Sequence, residues 1–526
     1  MAGVGVSMSG GGHRASLFGL GVLLYLVDAG KNEQVTSISS VSGGSLTNAF
    51  VGQALDLQAT TPEEFDRAVA PFATRIARRG TFLGRGLTGR YPLVLLLTLF
   101  ATAALWFLDG SRWFRFGLHL ALVAVWALVV LSPMFGTLLG KLFGLAMAVT
   151  LVAALVAPWV ANPPGWFGTP FGRFVLFVVA LMLWVSLVFA RRGAVCAHAY
   201  RRTLFTRDGR ADRLASVQRG VDHVLCATEL QSAEPVYFSS SFVYGYRFGL
   251  GDPSDLRLSV AAQASANLPF AFPARWLRTA PFRFRYPKDA VRPAERGPGW
   301  RDCPPPEDRP EHKRFMVLSD GGVYDNMADQ WPQGFASRAG CWPDLGREHH
   351  EPDELIVANA SAGLEWEPFK RSAIPAIGGL LSLLKVKDVL YDQTTAQRRA
   401  GLVGRFDRAA LAAREGHPQG MRGALVHIPQ HALHVPRAFR GSRLWPERAG
   451  RAERILPLLE PDAEAWIALA GRSTAVGTVL SALGDATAVD LLKHGYVLAM
   501  VNLHVILNYP WLGLPPDERF TRLLAG

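Results

Sequence analysis

The chain is poor in cysteine, with four in 526 residues: Cys196, Cys226, Cys303 and Cys341. They lie far apart and form no Cys-x-x-Cys pair, which argues against a disulfide framework or a structural zinc site. His312, His349 and His350 lie near Cys303 and Cys341 but match no ligand spacing, so they read as loop surface. Such cysteine usage suits a reducing compartment. The N-terminus shows no basic n-region and no cleavage site, so no signal peptide is expected. The net charge is +12, carried overwhelmingly by arginine. There is still no long basic block with interleaved aromatics, so nucleic acid is not an expected partner.

What the chain has in excess is apolar residues, at 49% with a mean hydropathy of +0.16. The excess is concentrated in residues 91–190. Four apolar runs follow one another there, at 92–108, 116–131, 142–160 and 171–190, most of them at or near spanning length. Asp109, Arg112, Arg115, Lys141 and Arg173 fall at or near the ends of the runs, and tryptophans lie near several of the same ends. Four membrane spans are therefore expected; a buried helical subdomain is the alternative. Arg75, Arg78, Arg79, Arg85 and Arg90 precede the runs, and Arg191, Arg192, Arg201 and Arg202 follow them. Both flanks are thus expected on the cytoplasmic side of a cell membrane, in a multi-pass protein. The runs hold almost no ionisable residue away from their ends, which fits an anchor better than a transport path.

On either side of the runs the pattern changes. Residues 2–8 read as a strand, 15–29 as a helix stopped by Gly30, 35–41 as a second strand and 43–55 as a second helix. That alternation starts an α/β domain with a mainly parallel sheet. Further strands are expected at 222–228, 236–246, 315–318 and 354–359, with helices at 258–267 and 376–402. Residues 278–313 read as a surface loop. Beyond Arg440 the chain reads as helical, and 497–507 is too short to span a membrane, so packing on the domain is expected. The domain plan is 1–90 and 191–440 as two parts of one domain, 91–190 as the membrane insertion, and 441–526 as a C-terminal helical segment.

Two turns carry the chemistry. Gly10-Gly11-Gly12-His13-Arg14 follows the first strand and opens a helix, where backbone N–H groups can hold a negative oxygen. Ser40-Val41-Ser42-Gly43-Gly44 follows the second strand and can lift the Ser42 hydroxyl out of the fold. The strict Gly-x-Ser-x-Gly elbow fails, because Ser40 replaces its first glycine. The first turn also fits Gly-x-Gly-x-x-Gly/Ala, the dinucleotide fingerprint. That fingerprint wants an acid ending the second strand, and only Glu33, before that strand, is near. No Gly-Lys-Ser/Thr follows, so a Walker loop is excluded. Asp320, in Asp320-Gly321-Gly322, is the best candidate base for Ser42; a plain Asp-Gly turn is the alternative. Asp325 is the rival carboxylate. Arg14 reads as a brace or a contact to lipid phosphate, and His13 not as a base.

Taken in order, these segments resemble the patatin-like phospholipases. So do Cys226–Gln231 with Glu234–Phe238, and Ala264–Pro273 with its helix-to-proline turn. The resemblance covers 1–55 and about 215–400. It implies a three-layer α/β/α fold and hydrolysis of fatty acyl esters in phospholipids or other acyl lipids. It further implies a Ser42–Asp320 dyad, an oxyanion hole from Gly10, Gly11, Gly12 and Gly43, and no cofactor or metal. The large insertion departs from the family core. A nucleotide-binding membrane protein and a catalytically inactive scaffold remain the alternatives. The oligomeric state is not legible.

Overall fold

In the computed structural model of the chain, residues 3–82, 192–206, 209–253, 255–269, 271–285, 314–363, 375–417 and 420–525 are described. The four apolar runs of 91–190 and most of the 278–313 loop lie outside these residues. Among the described residues no helix is long and apolar enough to cross a membrane.

Among the described residues ten strands form one sheet. They are β1 (Val4–Met8), β2 (Val35–Ser40), β3 (Asp222–Glu229), β4 (Glu234–Phe238), β5 (Val243–Gly245), β6 (Gly249–Gly251), β7 (Arg275–Arg278), β8 (Phe315–Asp320), β9 (Glu354–Asn359) and β10 (Arg422–His427). The main path runs β10-β9-β1-β2-β3-β4-β5-β6, and β8 pairs with both β3 and β7. The expected mainly parallel sheet is corrected to a mixed one. Pairings are parallel from β10 through β3, and antiparallel for β3–β4, β4–β5, β5–β6, β3–β8 and β7–β8. The single strand expected at 236–246 is two strands folded back on each other, with Ser239, Ser240 and Ser241 between them. Serine hydroxyls compete for backbone partners and favour such a turn.

Among the described residues the longer helices are α1 (Gly12–Asp28), α2 (Ser42–Ala54), α3 (Pro62–Arg78), α4 (Leu258–Ser265), α5 (Pro375–Arg414), α6 (Pro446–Leu459), α7 (Ala463–Ala475), α8 (Asp485–Leu507) and α9 (Asp517–Ala525). Side chains alternate across a strand, and β9 shows what covers each face. Ile356 and Ala358 join the main core, which also holds α1 and α8, while Leu355 and Val357 pack with Leu402 and Phe406 of α5. Sheet and helices thus form three layers. Helix α1 is buried along nearly its whole length, because α8 covers its outer side. The two helices touch backbone to backbone. A methyl on Gly495 would strike the Phe18 carbonyl oxygen, and one on Gly21 would strike that of Leu492. The 497–507 run therefore lies inside a packed helix. Helix α3, whose buried Phe65, Val69, Phe72, Ala73 and Ile76 recur at helical spacing, starts with a capping box: Thr61 accepts from the Glu64 N–H and Glu64 from the Thr61 N–H.

Cys196 and Cys226 are buried free thiols, whereas Cys341 is disulfide-bonded, which the wide cysteine spacing does not announce. Phe82 and Arg192, which bracket residues 83–191, both meet the Phe272 ring. The Phe82 ring centroid lies 5.5 Å from it and the Arg192 guanidinium 5.9 Å.

Candidate active site

Parallel β1 and β2 end at the same edge of the sheet, with Met8 beside Ser40, so the two glycine-rich turns emerge side by side. They interlock. A methyl on Gly43 would fall inside the Gly12 carbonyl oxygen and within 2.7 and 2.8 Å of the Gly12 carbonyl carbon and nitrogen. The Ser16 hydroxyl donates to the Gly43 carbonyl at 2.7 Å, fixing α1 to the elbow. Only glycine fits at 43.

Ser42 begins α2 with φ at +51°, a left-handed backbone that costs a non-glycine residue about 1–2 kcal/mol. Strain of this kind is found where surrounding structure enforces an exposed hydroxyl at an elbow. The Ser42 N–H donates to Ser265 Oγ at 3.2 Å. Ser40 is fully buried and knitted in: it donates to the Val224 carbonyl at 3.2 Å and accepts from Ser45 at 3.0 Å and Asn48 at 2.8 Å. A serine at this elbow position therefore has partners that a glycine would lack.

Asp320 arrives from the opposite direction. Along one edge of β3, β2 occupies the stretch up to Leu225, opposite Ser40, and β8 the stretch from Ala227, opposite Asp320. The two strands point at each other end to end. Two residues past Ser40, Ser42 stands level with Asp320. The Asp320 N–H donates to the Asn267 carbonyl at 3.0 Å, and the Asp320 carbonyl accepts from the Thr228 hydroxyl at 2.8 Å. Its Oδ1 accepts the Gly322 N–H at 2.8 Å. Ser265 joins the two halves, since its hydroxyl accepts from Ser42 and its carbonyl accepts the Gly321 N–H at 3.0 Å.

Ser42, Asp320, Gly10, Gly11 and Arg14 line one cavity of about 370 Å³. The N–H groups of Gly12 and Gly43 belong to the first turns of α1 and α2, where no intrahelical acceptor exists. Gly10 is corrected as a donor: its N–H is spent on the Asn326 carbonyl at 3.0 Å. Its role is spatial, because a methyl there would crowd Ser42 Cβ at 3.2 Å and overlap the Asn326 amide oxygen. Arg14 does line the cavity, but its Nη1 braces the Val476 carbonyl at 2.6 Å. Asp325 does not line it. Its carboxylate accepts the N–H groups of Met327 at 3.0 Å and Gln330 at 2.8 Å, and burial beside Asp329 pushes it up to about 7 despite Arg398.

Several lining residues escape sequence reasoning: Asn326, Ser361, Tyr391, Thr395 and Thr478. Asn326 sits six residues past Asp320, and the others come from elements remote in the chain, so no local signal marks them. The dinucleotide alternative meets two obstacles. Glu33 is exposed on the turn before β2. The crest of the glycine turn is covered, because the Val479 carbonyl lies 2.6 Å from where a Gly12 methyl would sit.

His13 is structural. Its Nδ1 can only donate to the Ser481 carbonyl at 2.8 Å, which leaves Nε2 to accept from the Thr81 hydroxyl at 2.8 Å. Burial lowers His13, and likewise His223, His427 and His494, to about 4. Unfolded, each takes up its proton near 6.5, but folded only near 4. The unfolded state therefore binds more protons between these values, and stability falls as pH drops from 6.5 towards 4, by several kcal/mol in all. The urea midpoint at pH 5 is expected well below that at pH 7.5. Equal midpoints would show that these imidazoles are not held neutral.

No curated protein matches the chain. Human GIVD cytosolic phospholipase A2 is a similar solved structure, at 14% identity and a TM-score of 0.34. The match covers 69% of this chain and 43% of that one. VipD from Legionella pneumophila is similar at 12% identity and a TM-score of 0.21, over 98% of this chain and 93% of that one. The profile of the patatin-like phospholipases matches residues 6–328, more than half of the sequence, and so the chain belongs to the patatin-like phospholipase family.

Proposed function

We propose that the chain is a membrane-anchored serine lipid acyl hydrolase working through a Ser42–Asp320 dyad. The observation that carries this reading is the shared cavity, lined by a serine on a left-handed elbow and by a carboxylate, beside two helix starts. Asp320 accepts the Ser42 proton as Ser42 Oγ attacks the acyl carbonyl. N–H groups of Gly11, Gly12 and Gly43 stabilise the oxyanion. The leaving alcohol takes the proton from Asp320; water, deprotonated by Asp320, then attacks the acyl-enzyme and releases the fatty acid as Ser42 Oγ departs and takes that proton back from Asp320. The chain's own groups complete this cycle without a cofactor. The substrate is insoluble, and the four apolar runs of 91–190 would hold the site at the cytoplasmic face of a bilayer.

A fluorophosphonate probe and mixed-lipid vesicles test the reading. The protein is expected to take up the probe at Ser42 and release fatty acid, and Asp320→Asn to lower release at least about 1,000-fold. No label, or equal label on Ser42→Ala, would overturn the hydrolase. A label without fatty-acid release would leave an inactive scaffold. A reporter fused after Gly526 is expected to signal from the cytoplasm; a signal from the far side would overturn the four-span anchor.

A further inference from the structure

Helix α5 touches the Ser42 cavity near its middle and carries a second cavity at its C-terminal end. Thr395 lines the Ser42 cavity, whereas Ala410, Ala413 and Arg414 line a separate space of about 460 Å³. Fifteen residues of helix set Thr395 and Ala410 about 22 Å apart. Four arginines face this second space: Arg414, Arg422, Arg448 and Arg451.

Each guanidinium is held from one side. Arg422 donates to Glu354 at 2.5 Å and Arg448 to Asp407 at 3.0 Å. Arg451 Nε donates to the Val505 carbonyl at 3.0 Å, and Arg414 to the Leu444 carbonyl at 2.7 Å. A guanidinium has five N–H donors, and among the described residues each of these four makes one hydrogen bond. The Arg448 and Arg451 side chains are only 7% and 11% exposed, so their unspent donors are largely withheld from bulk water. Burial and the nearby Arg448 and Arg454 lower the Arg451 guanidinium from its ordinary value, only partly offset by Glu447. Glu447 is the one carboxylate among the lining residues, 84% exposed and 4.0 Å from Arg451. Even with Glu354 and Asp407 added, four cations face three acids. The first turn of α6 opens on the same space at Trp445 and Pro446, adding the positive end of a 14-residue helix. Apart from Asn508 the rest of the wall is apolar, with Ala413 and Leu507, while the Trp445 ring lies 3.8 Å under the Arg448 guanidinium.

We infer that this second cavity binds an amphipathic anion, its carboxylate or phosphate head held by Arg414, Arg448 and Arg451 and its apolar chain laid along Ala413 and Leu507. Two sources share that chemistry, a free fatty acid and a lipid phosphate. The site does not depend on the Ser42–Asp320 reading and stands if that reading fails.

Titration calorimetry on the full chain in detergent tests the inference, with Ser42→Ala used so that no ester is consumed. Oleate, oleoyl lysophosphatidic acid and inorganic phosphate are the three probes. One of the two amphiphiles is expected to bind, and the tighter identifies the source. Arg414→Gln, at an exposed position, is expected to weaken it about tenfold, and Arg414→Gln/Arg448→Gln about a hundredfold, with the thermal midpoint checking the fold. Binding of none of the three, or unchanged affinity in both variants, would overturn the site. Phosphate binding as tightly as the lysophosphatidate would overturn its amphipathic character.

Discussion

Ser42→Ala is expected to lower fatty-acid release about 10,000-fold while leaving the fold intact. The size follows from the division of labour: removing a nucleophile leaves only binding and oxyanion stabilisation, worth a small residue of the rate. The fold is spared because the structural work at this elbow is done by others. Ser40, Ser45 and Asn48 hold the strand end, Ser265 takes the Ser42 N–H, and the glycines make the close contacts. Ser42→Gly separates the two roles further. It should be equally inactive, yet more stable by about 0.5–1 kcal/mol, because glycine adopts φ near +51° without penalty. Release assays on vesicles and urea unfolding of the three proteins check both halves. More than a hundredth of the activity surviving in Ser42→Ala would place the nucleophile elsewhere, and a destabilised Ser42→Gly would mean that the hydroxyl itself supports the turn.

The parts of this site legible in the sequence are those written in local turn chemistry. Glycines at 10–12 and 43–44, and Asp320 before two glycines, mark backbone that must turn tightly beside another element, and such needs are visible in a few residues. The spending of the Gly10 N–H on Asn326 is not visible, because that partner lies 316 residues away. Nor is the head-on approach of β2 and β8, which depends on how much of the β3 edge each strand occupies. The layers follow from strand–helix alternation, but strand direction past β3 does not. Antiparallel β4 and β5 read as one run because aromatic and β-branched residues continue on both sides of Ser239–Ser241.

Gly43→Ala is expected to be the most damaging single methyl. Its carbon would overlap the backbone of Gly12, and backbone cannot rotate aside as a side chain can. The two turns would have to part by about an ångström, which costs about 1–3 kcal/mol of stability, and a shift of that size at reacting groups costs about 100-fold in rate. Gly401→Ala is the matched control. It lies exposed in α5 with nothing within 4 Å of the added methyl, and should gain about 1 kcal/mol. Unfolding midpoints and release rates of both variants check the contrast. Unimpaired hydrolysis in Gly43→Ala would mean that the turns need not touch for the chemistry.

The meeting of Phe82 and Arg192 on the Phe272 ring has a consequence for chain entropy. Folding of the domain closes a loop through residues 83–191, whatever that stretch does. The closure cost grows only with the logarithm of loop length, about 0.6 kcal/mol per doubling. Strung between the same two points, 109 residues cost about 2 kcal/mol more than a connection an eighth as long. The domain is therefore nearly indifferent to how much chain hangs from Phe272. Its topology requires only that the two ends return to that ring.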